Sequence, residues 1–169
     1  RQMCIRDRFR IIVPVYNAQE HIAETIESVI HQTIGFQENV FLHLIDDASK
    51  DDSLKICKEY RKKYPRNIKV THFKENQGVS AARNYGIKKC KYKRGVIIGF
   101  LDSDDYLEIQ ALEKVQDYFS KHDDINIAVS RIILTGRQQG EHKSNWRFDQ
   151  REVVDIVKDY NFCLLYTSD

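Results

Sequence analysis

Four short apolar runs, each closed by a polar or acidic cluster and followed by a helical period, restrict this chain to one kind of architecture. The runs are residues 10–15 (RIIVPV), 40–45 (VFLHLI), 68–73 (IKVTHF) and 95–101 (GVIIGFL). β-Branched enrichment makes them strands, and the nearly continuous apolarity of 40–45 and 95–101 marks strands buried on both faces. Between them, Ile22, Ile26, Val29 and Ile30 recur at helical spacing within 18–31. Leu54, Cys57, Tyr60 and Tyr64 repeat in the same way before Pro65 stops the helix. Ala81, Ala82 and Ile87 serve a helix over 78–89, and Leu112, Val115 and Phe119 mark another. A fifth strand is expected over 125–134, a loop around Trp146 over 135–148, and a short helix or strand over 152–160. Strands alternating with helices at this spacing give an α/β fold: Rossmann-like βαβ units, a mostly parallel sheet, helices on both faces. Ligands of such sheets bind beyond the carboxyl ends of the strands, so every acidic cluster falls on one rim.

Composition removes several function classes. Lys+Arg number 27 and Asp+Glu 25, a net charge of +2 that argues against a nucleic-acid binder. No apolar run approaches the ~20 residues of a membrane helix, and residues 1–10 lack the apolar stretch of a secretory signal. The four cysteines, at 4, 57, 90 and 163, have neither zinc nor C-x-x-C spacing, so a reduced, soluble, intracellular domain is expected. Cys57 and Cys90 read as small hydrophobes at packing positions.

The two ends fit no period. Residues 163–169 (CLLYTSD) are encoded by TGT CTC TTA TAC ACA TCT GAC, and the reverse complement of that DNA, read in frame, encodes residues 2–7 (QMCIRD). One DNA segment in opposite orientations thus accounts for both tails, and it resembles a transposon end used as a sequencing adapter. The expected organisation is a non-native tail at 1–7, a domain at 8–162 that is incomplete, and a non-native tail at 163–169.

Four motifs carry chemistry. In Phe100-Leu101-Asp102-Ser103-Asp104-Asp105, three carboxylates follow a buried strand, and a cation relieves their repulsion. Hard oxygen donors suit Mg²⁺ or Mn²⁺, with substrate oxygens and water completing the shell. Asp105 also fits a D-x-x-E cap with Glu108, whereas Asp102 and Asp104 have no such explanation. In Leu44-Ile45-Asp46-Asp47-Ala48-Ser49, a carboxylate can accept from a ring N–H such as uracil N3; Asp46 looks the more structural of the pair, and Ser49 and Asp51 can start the next helix. In Asn76-Gln77-Gly78 through Gly86, Gly78 allows a tight entry, small residues bring the helix close to the sheet, and Arg83 reaches the rim, to meet diphosphate, Asp46 or Asp102. In Val13-Pro14-Val15-Tyr16-Asn17, with Glu20, Pro14 removes a ladder donor, so the strand ends or becomes irregular there. Tyr16 offers a flat face for a base, and Asn17 can cap the following helix.

In this order, IIVPVYNAQEHI, SVIHQT, LIDDASKDDS, NQGVSAARNYGI and GFLDSDDYL resemble the family 2 glycosyltransferases of GT-A fold, over about residues 9–119. Ala48 departs from the family's usual Gly. The resemblance implies transfer of a sugar from a nucleotide-diphosphate-sugar, a UDP-sugar above all, to a glycan or lipid-linked hydroxyl acceptor, with inversion. It implies that Pro14, Val15, Tyr16, Asn17 and Glu20 line the nucleotide pocket and that Asp47 binds the base. Arg83 would position the donor, and Asp102-Ser103-Asp104 would be the metal-binding D-x-D, with Asp104 the main contact, Asp102 towards the ribose or metal, and Asp105 a further candidate. The implied setting is bacterial polysaccharide synthesis in the cytoplasm, at or near the inner face of the membrane.

An inverting transfer needs a general base. Of the carboxylates after the D-x-D region, Asp123 and Asp124 end a helix on the wrong side of the sheet, and Glu141, Asp149, Glu152, Asp155 and Asp159 lack motif context, so the base is expected beyond residue 162. Two other readings stay open: a nucleotide-sugar-binding or regulatory domain without catalysis, and a nucleotidyltransferase on a related sheet, although the latter's Gly-rich basic loop is absent after the first strand. Basic residues 88–94 read as a solvated turn.

Overall fold

The structure, a computed structural model, describes residues 9–90, 96–121, 132–134 and 140–142. The chain divides into two compact units, Arg1–Asp117 and Tyr118–Asp169. In the first, the strands are β1 (Phe9–Val15), β2 (Val40–Asp46), β3 (Ile68–His72) and β4 (Ile97–Phe100). The helices are α1 (Ile22–Ile30), the single turn α2 (Phe36–Asn39), α3 (Ser53–Lys63), α4 (Val79–Lys89) and α5 (Ala111–Lys121), whose last turns enter the second unit. The sheet has the order β3-β2-β1-β4, and every pair is parallel. In the second unit, β5 (Ile132–Leu134) and β6 (Gly140–His142) pair antiparallel.

Strand alternation sorts the core into two layers. Phe9, Ile11, Val13, Val15, Leu42 and Leu44 meet Ile22, Ile26 and Val29 of α1 and Cys57 of α3 on one face. Ile12 and Ile45 turn the other way, towards Ala82 of α4, Phe73 and Cys90. The small residues of α4 have a steric purpose. A Cβ on Gly86 would stand 2.6 Å from Cγ2 of Ile12, so only glycine lets α4 lie this close to β1.

Several expectations are corrected. The strand at 95–101 shrinks to β4 and is half-buried rather than buried, because β4 is an edge of the four-stranded sheet. Pro14 neither ends nor disturbs β1. Val15 C=O accepts from Asp47 N–H (2.8 Å) and Ile12 C=O from Leu101 N–H (3.1 Å), so Val15 faces β2 while Ile12 and Pro14 face β4. The β1–β4 register stops at Ile12–Phe100, and the missing proline donor has no partner to lose. The helix expected over 18–31 begins only at Ile22, because Ala18 and Gln19 give their N–H groups to Ser53 Oγ (2.8 Å) and Asp51 Oδ2 (3.1 Å). β6 lies where a loop was expected. Residues 1–8 and 143–169, which include both tails, Trp146 and the element expected at 152–160, lie outside the described residues, as do 122–131.

Candidate functional site

The strand order reverses between β1 and β4: the chain steps outward through β2 and β3, then crosses to the other side of β1. A crevice opens at such a switch point, beyond the carboxyl ends of the two strands. The segments after β1, β2, β3 and β4 border it.

After β1, Pro14 and Val15 are buried, and the Val15 side chain belongs to the core, so neither offers a side chain to a ligand. Tyr16, Asn17 and Glu20 are exposed. Asn17 adopts a positive φ of 48°, a conformation that asparagine tolerates better than most residues. It does not cap α1, whose N-cap is His21. Instead Asn17 Oδ1 accepts from Lys50 N–H (2.9 Å), and Asn17 N–H donates to Ser49 Oγ (3.1 Å). The loop after β1 is thereby sewn to the loop after β2.

The two carboxylates that close β2 are both buried, and each has its own structural partners. Asp46 Oδ2 accepts from Ser49 N–H (3.3 Å) and from His72 Nδ1 (2.7 Å), joining the ends of β2 and β3. Asp47 turns the other way. Its Oδ1 accepts from Gln77 N–H and its Oδ2 from Gly78 N–H, both at 2.8 Å. Gly78 carries a φ of +87°, which sets its N–H towards Asp47 at the entry to α4. A carboxylate has about four lone-pair positions, so two remain on Asp47 for a ligand donor.

α4 then supplies Arg83, which is buried to 4% exposure. Of the two ion-pair partners open to it in sequence, it takes Asp102: Nη2 to Oδ1 is 2.5 Å. Asp102 is itself a quarter exposed, and Asp104 and Asp105 are open to solvent. The Asp105 carboxyl, though exposed, is pushed up first by partial desolvation of its ionised form and then by the charges of Asp104 and Asp102. That repulsion is what a divalent cation would relieve. Hard oxygens, one of them already anchored by Arg83, have the chemistry for Mg²⁺ or Mn²⁺, and Asp102 and Asp104, with Asp105 beside them, are the residues that could hold one. Among the described residues no group of three or more His, Cys, Asp or Glu is assembled to hold a metal by itself. Substrate oxygens would therefore be part of the shell.

Asp105 does not cap a helix. Five residues separate it from Ala111, where α5 begins, and the connection is held instead from α1 and the residues just after it. Thr25 Oγ1 donates to Ser103 C=O (2.9 Å), and Ser28 Oγ accepts from Leu107 N–H (3.0 Å). Gln32 donates to Glu108 C=O (2.8 Å) and accepts from Leu112 N–H (2.9 Å), while Thr33 N–H donates to Ile109 C=O (3.1 Å). Thr25 and Ser28 of α1, with Gln32 and the Thr33 backbone just beyond its end, thus shape the acidic loop.

The sequence model for the family described as "Glycosyl transferase family 2" matches residues 10–165. The chain belongs to this family. A Bacillus subtilis relative, "Minor teichoic acid biosynthesis protein GgaA", is 45% identical over 94% of this chain and 35% of its own length. "Poly(ribitol-phosphate) beta-glucosyltransferase" of Bacillus spizizenii is 34% identical over 89% of the chain and 23% of its own length. Crystal structures of residues 1–349 of Staphylococcus aureus TarS with UDP and with UDP-GlcNAc are 31% identical, cover 68% of this chain and 32% of theirs, and superpose with a TM-score of 0.60. The chain therefore spans about a third of the length of the GgaA relative and of the crystallised TarS fragment. The GT-A fold expected from the motifs is the fold of this family member.

Sequence reasoning placed the family member's acidic clusters on one rim and named both partners of the Arg83–Asp102 pair. It missed the side chains in and just beyond α1 that hold the acidic loop. Thr25 and Ser28 lie within α1 and Gln32 past its C-cap, so no single helical period marked them together. It also missed His72, whose only cue was its register opposite Asp46.

Proposed function

We propose that this chain is the donor-binding part of a metal-dependent glycosyltransferase, which moves a sugar from a UDP-sugar to a hydroxyl of a bacterial anionic cell-wall polymer, with inversion. The observation that carries this reading is the Arg83–Asp102 pair at the β1/β4 switch point, next to the exposed carboxylate Asp104. Donor identity is supported by the 31% identical TarS structures, described with UDP and UDP-GlcNAc, and the acceptor class by relatives described in terms of teichoic acid and poly(ribitol phosphate).

The residues have distinct tasks in this reading. Asp47 accepts the N–H of the base with its free lone pairs, while its bonds to Gln77 and Gly78 fix its orientation. Tyr16 covers a face of the base, with Asn17 and Glu20 on the same border, and the Pro14–Val15 backbone forms the pocket wall. Arg83 holds Asp102 and adds positive charge beside the diphosphate. Asp102, Ser103 and Asp104 form the seat of the metal, with Asp105 adjoining. When bound, the metal stabilises charge gathering on the leaving diphosphate.

Calorimetric titration of UDP with and without MnCl₂ tests the proposal. Binding should strengthen with metal, and Asp104→Ala should remove that increment while leaving metal-free binding intact. UDP binding that ignores both metal and Asp104→Ala would overturn it. The Arg83–Asp102 contact equally suits a domain that binds nucleotide-sugar without transferring it, and turnover of UDP-GlcNAc by the full-length protein that carries this segment separates the two.

A further inference from the structure

Residues 55–69 carry seven Lys or Arg and a single carboxylate, Glu59, in a chain whose net charge is +2, so the rest of the chain is net acidic. All seven cations are exposed. Lys55 pairs with Asp52 at 3.7 Å, but among the described residues no carboxylate stands within ion-pair distance of Lys58, Arg61, Lys62, Lys63, Arg66 or Lys69. Three of the cations occupy the last turn of α3, where they complement the helix dipole. That accounts for neither Arg66 and Lys69 beyond the helix nor Lys58 before its last turn.

Two of these cations, Lys63 and Arg66, line a concave feature. A cleft of about 240 Å³ is lined by Gln37, Lys63, Tyr64, Pro65, Arg66 and Asn67. Its floor is fixed, because Asn67 Nδ2 donates to Phe36, Gln37 and Val40 C=O at 3.2, 3.1 and 2.9 Å. Lys63 Nζ is held 5.9 Å from the centres of both the Tyr60 and the Tyr64 rings. α3 starts at the rim and, with 11 residues, runs about 16 Å away from it. The cleft therefore lies at the pole of the sheet opposite the donor site.

We propose that this basic pole docks an extended polyanion, a phosphodiester-linked polyol chain of several repeats whose growing end occupies the donor rim. The inference rests on the acceptor class proposed above. Repeating phosphates complement a cluster of cations of which six have no carboxylate partner among the described residues. A flat anionic membrane fits less well: the exposed large apolar residues Tyr16, Val79, Tyr106, Ile109 and Tyr118 all lie outside 55–69. Cys57, Tyr60 and Tyr64 of this segment face the core, so no apolar face is left to insert.

Short and long poly(ribitol phosphate) oligomers, phosphatidylglycerol vesicles and UDP are titrated separately into the 169-residue chain. The comparison is with Lys62→Glu/Arg66→Glu and with Lys88→Glu/Lys89→Glu, an equal charge change on α4. Affinity should rise with oligomer length, fall with salt, and drop at least about tenfold in the first pair alone, while UDP binding stays the same in all three proteins. An equal drop in both pairs, or binding of vesicles without oligomers, overturns the proposal. UDP bound with oligomers ignored overturns the docking site only; UDP itself failing to bind the unaltered chain strikes the donor-site reading instead.

Discussion

Two neighbouring carboxylates with opposite orientations organise the centre of the site. Asp46 and Asp47 were legible as a pair from a strand end followed by Ala-Ser, and alternation rightly sent them to different sides. Their partners were not legible, since His72, Gln77 and Gly78 lie some 25 to 30 positions downstream and approach only when β3 pairs with β2. Asp47→Asn replaces one acceptor oxygen with a donor that confronts a backbone N–H. It should destabilise the fold by about 1–3 kcal/mol in urea unfolding and weaken UDP binding in the same protein. A second residue-scale effect lies in β2. His43 is 3% exposed and bonded to Thr71 Oγ1 at 2.9 Å. Burial first, then the charges of Lys69 and Arg10, lower its pKa to about 4. Unfolded, it titrates near 6.5. Its lowered folded value leaves stability intact above pH 6.5 and removes it as pH falls towards 4, by up to about 3 kcal/mol. His43→Gln keeps a partner for Thr71 and should show a smaller loss over that interval when unfolding free energies are compared at each pH. Cys57, whose thiol is pushed up to about 12 chiefly by burial, should stay unreactive to thiol reagents in the folded protein.

At the scale of elements, the long helices could be read from apolar period because each buries one face, and the strands from their apolar runs. The exceptions have separate causes. α1 starts late because the loop after β1 spends its N–H groups on the side chains of Ser53 and Asp51, and α2 is too short to carry a period. Two substitutions probe how elements are fitted together. Gly86→Ala improves helix propensity by up to about 1 kcal/mol, yet its methyl would meet the fully buried Ile12. The net result should be a destabilisation of about 1–2 kcal/mol. Valine keeps the Cγ2 that lies 2.6 Å from the added methyl, so Gly86→Ala/Ile12→Val should not relieve it, whereas Gly86→Ala/Ile12→Ala should cost less than the sum of its two single substitutions in urea unfolding. Gln32→Leu removes the acceptor of Leu112 N–H and the donor to Glu108 C=O. It should cost about 2 kcal/mol and speed hydrogen exchange at the Leu112 amide, with the β1–β2 amides unaffected.

Across the whole molecule, the parallel sheet and the common rim for its acidic ends followed from the alternation of strands and helices alone. The position of the crevice did not, because strand order depends on which side of β1 the fourth strand joins. With that order known, the tethers of the site acquire a shared origin. Gln77 and Gly78, which grip Asp47, and Arg83, which grips Asp102, all sit within one short stretch at the entry and first turns of α4. In the donor site proposed above, the base end and the diphosphate end of a nucleotide would thus be read from one rigid lever. Whatever tilts that lever at one end is felt at the other, and the energy must be reciprocal. Uridine and pyrophosphate supplied as separate molecules should accordingly bind with an affinity for each that depends on the presence of the other.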